Sequence, residues 1–239
     1  MNDMTYILEE TVGQQSKRAA VVVGRMNPPT IGHYAVIDAV KKYIRDNQNL
    51  GLDPVPIVVV VAGKETSKDK KKNPLTANER ISFMTASGHA DGVKFLVAGS
   101  AFAAFEEVRK SGYEPIAIAA GSDRADKYLE MLDKYFKTKD DKEIDHYAIN
   151  LDRTGDEEKP AEGEKVDKKA GLDDILQYMD EDIPIEMVSA SLARRAVEKG
   201  EFDKFKILVG LTEKTKLAQK LFDKIKAAMA DMEKTDGVA

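Results

Sequence analysis

The stretch AAVVVGRMNPPTIGHYAVIDAVKKYI, residues 19–44, changes its apolar period in the middle. Its first five residues form an apolar run that Gly24 stops, which is typical of a buried parallel strand. Over residues 35–44 the apolar positions instead recur at helical spacing. The turn at residues 24–33 therefore joins a strand to a helix, and this order predicts the start of an α/β unit.

The order of an apolar strand followed by a helix recurs along the chain. Apolar runs that favour strands are PIVVVVA, VKFLVA and PIAIAA, at residues 56–62, 93–98 and 115–120. Helical patterns follow each of them, at residues 76–87, 101–111 and 123–136. Strands that alternate with helices indicate a parallel sheet with right-handed crossovers. We therefore expect an α/β fold with a Rossmann-like, doubly wound parallel sheet.

The chain divides into a polar leader (1–18), a main domain (19–210) and a C-terminal helix (211–239). Within the main domain, residues 152–169 contain almost nothing apolar, so they cannot bury enough surface to offset chain ordering. We expect a mobile, charged insertion there. After it, IPIEMV at residues 183–188 predicts a strand, and the segments SASLARRAVEKG and EFDKFKILVG predict two helices.

The C-terminal helix carries one apolar stripe, formed by Leu217, Leu221, Ile225, Met229 and Met232. Such a stripe most often packs a helix on the body of its own domain. It is also the surface that the sequence offers for a homo-oligomer.

Composition excludes several classes of site and partner. The 42 acidic residues outnumber the 37 Lys and Arg residues, so no overall positive field draws the chain to nucleic acid or to an anionic membrane. The absence of cysteine excludes disulfides, thiolate metal sites and a cysteine nucleophile. The N-terminus lacks the basic-then-apolar order of a signal peptide. These features predict a cytoplasmic protein without nucleic-acid or membrane partners.

The turn at residues 24–33, GRMNPPTIGH, has the composition of a polyphosphate site. In an open α/β sheet, ligands gather beyond the carboxyl ends of the strands, where helix N-termini offer free N–H groups. Gly24 permits close approach of a ligand to the backbone, Arg25 adds a permanent cation, and Thr30 and His33 present donors at the helix start. The turn matches neither the Walker loop nor the G-x-G-x-x-G motif.

This turn resembles the signature of the nucleotidyltransferase superfamily, G-x-[FY]-x-P-x-[HT]-x-G-H. The second signature of that superfamily, I-S-[STGA]-T-x-x-R, has a near match in VSASLAR at residues 188–194. Between them, KNPLTANER at residues 72–80 resembles the N-P-F-T-x-x-E-R segment of archaeal-type nicotinamide-mononucleotide adenylyltransferases. GSD at residues 121–123 resembles a nucleotide-contacting turn of the superfamily.

The chain departs from the family pattern in several places, and the linker at about 152–169 has no counterpart in the short members of the family. Met26 replaces the usual aromatic residue, and Ser191 stands where threonine is usual. Thr30 replaces the first histidine, as it does in phosphopantetheine adenylyltransferases.

The resemblance implies a role for each matching residue. It assigns catalysis to His33, Thr30 and Arg194, which would donate to the phosphates. The residues that it implies for nucleotide binding are Gly24, Arg25, Met26, Gly32, Gly121, Asp123, Ser189 and Ser191. Lys72 and Arg124 are further candidates, for a phosphate lid or for contact with the acceptor. No metal site is predicted from the side chains, because the histidines are scattered and cysteine is absent.

The implied function is transfer of the adenylyl group of ATP, with Mg²⁺, to nicotinamide mononucleotide, a phosphate monoester, to give NAD and pyrophosphate in NAD biosynthesis. Two alternatives stay open. One is adenylyl or cytidylyl transfer to another phosphate monoester, such as a phosphopantetheine-like or glycerol-phosphate-like acceptor, which Thr30 favours. The other is a protein that binds nucleotide without turnover, such as a regulator or an assembly component.

Overall fold

The computed structural model describes residues 16–63, 69–120, 124–136, 145–149, 173, 176, 185 and 188–236. Its strands are β1 (Lys17–Gly24), β2 (Ile57–Val61), β3 (Lys94–Ala98), β4 (Tyr113–Ala119) and β5 (Tyr147–Ala148). They form one sheet in the order β3-β2-β1-β4-β5, and every neighbouring pair is parallel. The expected Rossmann-like parallel sheet is confirmed. The sequence did not predict β5, because a two-residue strand has no readable period.

Besides a short 3-10 helix at Gln48–Leu50, seven α-helices have defined bounds in the described part of the chain. They are α1 (Ile31–Asp46), α2 (Ala77–Ser87), α3 (Ala101–Lys110), α4 (Ala125–Tyr135), α5 (Ala190–Lys199), α6 (Phe202–Leu208) and α7 (Thr215–Asp236). The first four follow a strand and cover the sheet, α1 and α2 on one face and α3 and α4 on the other. The last three come after the sheet is complete.

Strand β1 runs through the centre of the sheet and explains why its sequence is apolar without alternation. Ala20 and Val22 face the cluster that includes α1 and α2, whereas Ala19, Val21 and Val23 face the cluster that includes α3 and α4. All five side chains are buried, as expected for a parallel strand that is covered on both faces.

A third apolar cluster lies among the last three helices. Leu192 of α5, Phe205 of α6 and Leu221 and Ile225 of α7 are almost fully buried in it. Four residues of the apolar stripe thus pack on the body of the protein, namely Leu217, Leu221, Ile225 and Met229. Phe83 of α2 joins the same cluster, so the helical unit is attached to the sheet through α2.

Some sequence expectations fall outside the described residues, among them the insertion at 152–169 and most of the leader at 1–18. The strand predicted at 183–188 is wrong at the two residues described there. Ile185 and Val188 are joined by a turn, in which the Val188 N–H donates to the Ile185 carbonyl at 3.1 Å. Within the described ranges, no helix has the length and apolar character needed to cross a membrane.

Candidate functional site

The turn after β1 is held in one conformation by its own residues. Met26 adopts a φ of 50°, a left-handed conformation that is uncommon for residues other than glycine. Its side chain is buried in the cluster beneath α1, which anchors the turn against the sheet. The chain then enters α1 through Thr30, whose extended backbone forms the N-cap of the helix.

His33 is oriented by Thr30. The Thr30 backbone N–H donates to His33 Nδ1 at 3.1 Å, and Thr30 Oγ1 lies 2.8 Å from the same nitrogen. A ring nitrogen that accepts an N–H cannot itself carry a proton, so this pattern assigns the ring proton to Nε2. The imidazole therefore presents Nε2–H as a donor.

Thr30 itself stands behind the histidine. It is fully buried, and it is not among the residues that line the cavity described below. The prediction that Thr30 donates directly to a phosphate has no support in this geometry. Its contacts instead fix the tautomer and the direction of His33.

The second signature begins helix α5. Ser189 is its N-cap, and Ser189 Oγ accepts the Leu192 N–H at 3.1 Å. One turn later, Arg194 Nη2 donates to Ser191 Oγ at 3.0 Å. The two serines therefore cap the helix and orient the arginine.

The starts of α1 and α5 approach closely at Gly32. A Cβ atom on Gly32 would lie 2.9 Å from the Val188 carbonyl oxygen, closer than side chains normally come. The resemblance implies a role in nucleotide binding for Gly32. In the structure this glycine lines the cavity described below, and it also makes room for the backbone that leads into α5.

A cavity of about 440 Å³ lies where these elements meet. His33 of α1 and Arg194 of α5 both line it, although they are far apart in sequence. The other predicted site residues around it are Gly24, Arg25, Met26, Gly32, Lys72, Arg124, Ser189 and Ser191. Two helix N-termini thus open on one cavity, which favours an anionic ligand.

The charge of this cavity is strongly positive. Its lining includes Arg25, Lys72, Arg124 and Arg194, and none of the described lining residues is acidic. Burial, together with the charge of Arg25, lowers the pKa of Arg194 to about 10. Arg194 thus stays protonated at neutral pH in surroundings that disfavour a cation, so an anion bound there is stabilised.

Arg80 adds a buried cation behind the turn. Its guanidinium donates to the backbone carbonyls of Arg25 and Val61, the latter at 3.1 Å. Burial and the charge of Arg25 lower its pKa also to about 10. The sequence analysis missed this residue, although Arg80 ends the segment KNPLTANER that resembles an adenylyltransferase motif.

Asn27 is the second residue that the sequence analysis missed. It is 3% exposed, and its amide makes two hydrogen bonds with the backbone of Leu75, donating to the carbonyl at 2.8 Å and accepting the N–H at 3.2 Å. Its own carbonyl accepts Arg194 Nη1 at 2.5 Å. Asn27 therefore joins the turn after β1 to the KNPLT segment and to α5.

The remaining candidates divide into placed and unplaced residues. Lys72 borders the cavity and forms an ion pair with Asp69 at 3.0 Å. Arg124 borders it from the start of α4. Gly121 and Asp123 lie outside the described residues.

The other histidines have structural contacts. His89 stacks on Tyr34 with ring centroids 4.6 Å apart, and its Nε2 lies 2.8 Å from the Gly210 carbonyl oxygen. His146 Nδ1 lies 2.7 Å from Asp133. The described residues contain no group of three or more histidine or acidic side chains that could hold a metal ion.

A comparison with protein-family models identifies the family of the chain. A family model described as cytidylyltransferase-like matches residues 21–196, a span that begins in β1, ends in α5 and covers well over half of the chain. No curated protein matches the chain significantly.

Proposed function

The chain belongs to the cytidylyltransferase-like family, and on that premise we propose that it transfers the adenylyl group of ATP to nicotinamide mononucleotide. The products are NAD and pyrophosphate. The observation that carries the transferase proposal is the shared cavity, in which His33, Arg194 and two helix starts surround a space without described acidic side chains. Such a site is suited to a triphosphate.

The chemistry needs no covalent intermediate. An acceptor phosphate monoester is anionic near neutral pH, so its oxygen attacks the α-phosphorus without a protein base. The new O–P bond forms as the bond to pyrophosphate breaks. The work of the protein is to align two anions and to stabilise charge on the transferred group and on the leaving pyrophosphate.

Five side chains in or behind the cavity have a part in this proposal. His33 donates its Nε2–H to the transferred phosphoryl group, and Thr30 holds the imidazole. Arg194 and the N–H groups at the start of α5 bind the β- and γ-phosphates. Lys72 and Arg124 stand at the border of the cavity, where we propose that they contact the phosphate tail or the acceptor.

Mg²⁺ fits this site as a companion of the triphosphate. The described lining residues offer it no carboxylate, so phosphate oxygens and water would hold the ion, which is common for Mg²⁺ in nucleotide sites. It would neutralise phosphate charge when bound.

Nicotinamide mononucleotide is proposed as the acceptor because KNPLTANER resembles the adenylyltransferase segment. In the structure Leu75 of that segment pairs with Asn27 of the turn after β1. The two motifs therefore lie side by side, which supports the proposal that both serve one site. The family description and Thr30 favour a second candidate, cytidylyl or adenylyl transfer to another phosphate monoester.

A pyrophosphate-release screen tests both. ATP and CTP are each combined with nicotinamide mononucleotide, 4′-phosphopantetheine and glycerol 3-phosphate, in the presence of Mg²⁺. We expect turnover with ATP and nicotinamide mononucleotide, whereas turnover with CTP alone would refute that choice. Tight ATP binding without pyrophosphate release for any acceptor would instead favour a nucleotide-binding protein without turnover.

Two neighbouring arginines provide a matched control for the screen. Arg194→Ala removes a guanidinium from the cavity and should reduce turnover by about 100-fold or more. Arg195→Ala removes one that pairs with Asp173 at 2.6 Å and does not line the cavity. That variant should keep the rate of the unmodified protein.

A further inference from the structure

We infer that Asn27 is a positioning residue that sets Arg194 for anion binding, and that it does so without contacting the ligand through its side chain. The inference rests on the proposed function, because it assumes that Arg194 binds the phosphate tail. Asn27 stands at a position of the turn signature that the family pattern leaves unspecified.

The side chain of Asn27 forms hydrogen bonds with the protein through both its nitrogen and its oxygen. Its amide donates to one backbone group of Leu75 and accepts from the other, so both ends of the amide are used, as in a pair of neighbouring strands. This double contact also fixes which end of the amide is oxygen and which is nitrogen. These two bonds tie Asn27 to the backbone of Leu75 and so restrict the movement of the Asn27 backbone.

The backbone carbonyl of Asn27 then acts on Arg194. Arg194 Nη1 donates to this carbonyl at 2.5 Å, while Nη2 donates to Ser191 Oγ at 3.0 Å. The guanidinium is thus held by two hydrogen bonds, one to the turn after β1 and one to its own helix. A cation fixed in this way loses less conformational entropy when an anion binds.

Loss of the Asn27 amide should release the carbonyl and loosen one of the two holds on Arg194. If Asn27 served only the stability of the fold, Asn27→Ala would lower the melting temperature. Its effect on the affinity for an anion would then be the same with arginine or with alanine at position 194. A positioning role predicts that the effects of Asn27 and Arg194 on affinity are not independent, because residues in one hydrogen-bond network couple.

The test is a double-mutant cycle read by calorimetric titration of inorganic tripolyphosphate. The proteins are the unmodified chain, Asn27→Ala, Arg194→Ala and the double variant, each with its melting temperature. Asn47→Ala is the matched control, because the Asn47 amide donates to a backbone carbonyl, that of Tyr43, at 2.9 Å and lies away from the cavity. We expect Asn27→Ala to weaken binding about tenfold and the double variant to bind no more weakly than Arg194→Ala. Asn47→Ala should bind like the unmodified chain.

Two outcomes overturn the inference. One is unchanged affinity in Asn27→Ala, and the other is a double variant whose loss equals the product of the two single losses. If Asn27→Ala does not fold, Asn27→Ser, which keeps one hydrogen-bonding group, replaces it in the cycle. If neither folds, Asn27 is a determinant of folding and the inference is also overturned. Absence of tripolyphosphate binding by the unmodified chain would instead refute the proposed function.

Discussion

Replacing Gly32 with alanine should damage both stability and anion binding. In the second position of a helix, the change from glycine to alanine normally stabilises by up to about 1 kcal/mol. Here the new Cβ would lie 2.9 Å from the Val188 carbonyl oxygen, about 0.5 Å inside ordinary van der Waals contact. The obstacle is backbone, so relief requires α1 and α5 to separate.

The loss of stability and of anion binding can be estimated from this separation of α1 and α5. Crowding of this kind costs about 1–3 kcal/mol, which for a chain of this length lowers the melting temperature by a few degrees, about 2–4 °C for each kcal/mol. Because α5 carries Arg194, its displacement by about half an ångström should also weaken binding of tripolyphosphate and slow turnover about tenfold or more.

The assay pairs two measurements on two variants. Melting temperature and tripolyphosphate affinity are recorded for Gly32→Ala and for Gly99→Ala, since a Cβ on Gly99 would meet nothing within 4 Å. Gly99→Ala should match the unmodified chain in both. A Gly32→Ala protein that melts at the same or a higher temperature and binds tripolyphosphate equally well would refute the argument that the two helix starts need this close approach.

Four other substitutions, which form three tests, examine separate parts of the structure. His33→Ala should slow pyrophosphate release by about 100-fold with a small change in melting temperature, whereas His89→Ala should lower the melting temperature and keep the rate; the opposite pattern would exchange their roles. Arg80→Met leaves two backbone carbonyls without a donor and should destabilise by about 2 kcal/mol, measured by urea unfolding; unchanged stability would show that the buried cation is dispensable. Arg195 and Lys199 hold the pKa of Asp173 well below its usual range, so its contribution to stability is complete above about pH 4 and is lost as the pH falls through the lowered pKa. The difference in melting temperature between the unmodified chain and Asp173→Asn should therefore shrink below pH 4, and a constant difference would contradict the ion pair.

The sheet could be predicted from the sequence because its strands are short apolar runs with a helix after each. Residues 19–23 and 56–62 are covered on both faces, so no polar residue interrupts them, and the local pattern alone identifies them. The segment at 183–188 has the same apolar character but forms a turn at Ile185 and Val188. The carbonyl oxygens of both residues lie close to Gly32 at the start of α1. A contact between residues about 150 positions apart leaves no local pattern in the sequence.

The sequence predicts which residues lie around the candidate site better than it predicts the role of each residue there. His33 and Arg194 were found because their motifs resemble a family. Asn27 and Arg80 escaped because both bond to backbone groups, which have no signature in a sequence. Thr30 was predicted to donate to a phosphate because it stands at the helix start and matches the signature, whereas in the structure its side chain is buried behind the imidazole of His33.

The late position of α5 has a consequence for synthesis of the protein. Roughly 70 residues separate the end of β4 from α5, and a ribosome moving at about 5–20 residues per second needs several seconds to make them. A nascent chain that has emerged only through β4 holds His33 and lacks Arg194. If nucleotide needs both residues, as we propose, it stabilises only a chain in which α5 is already in place.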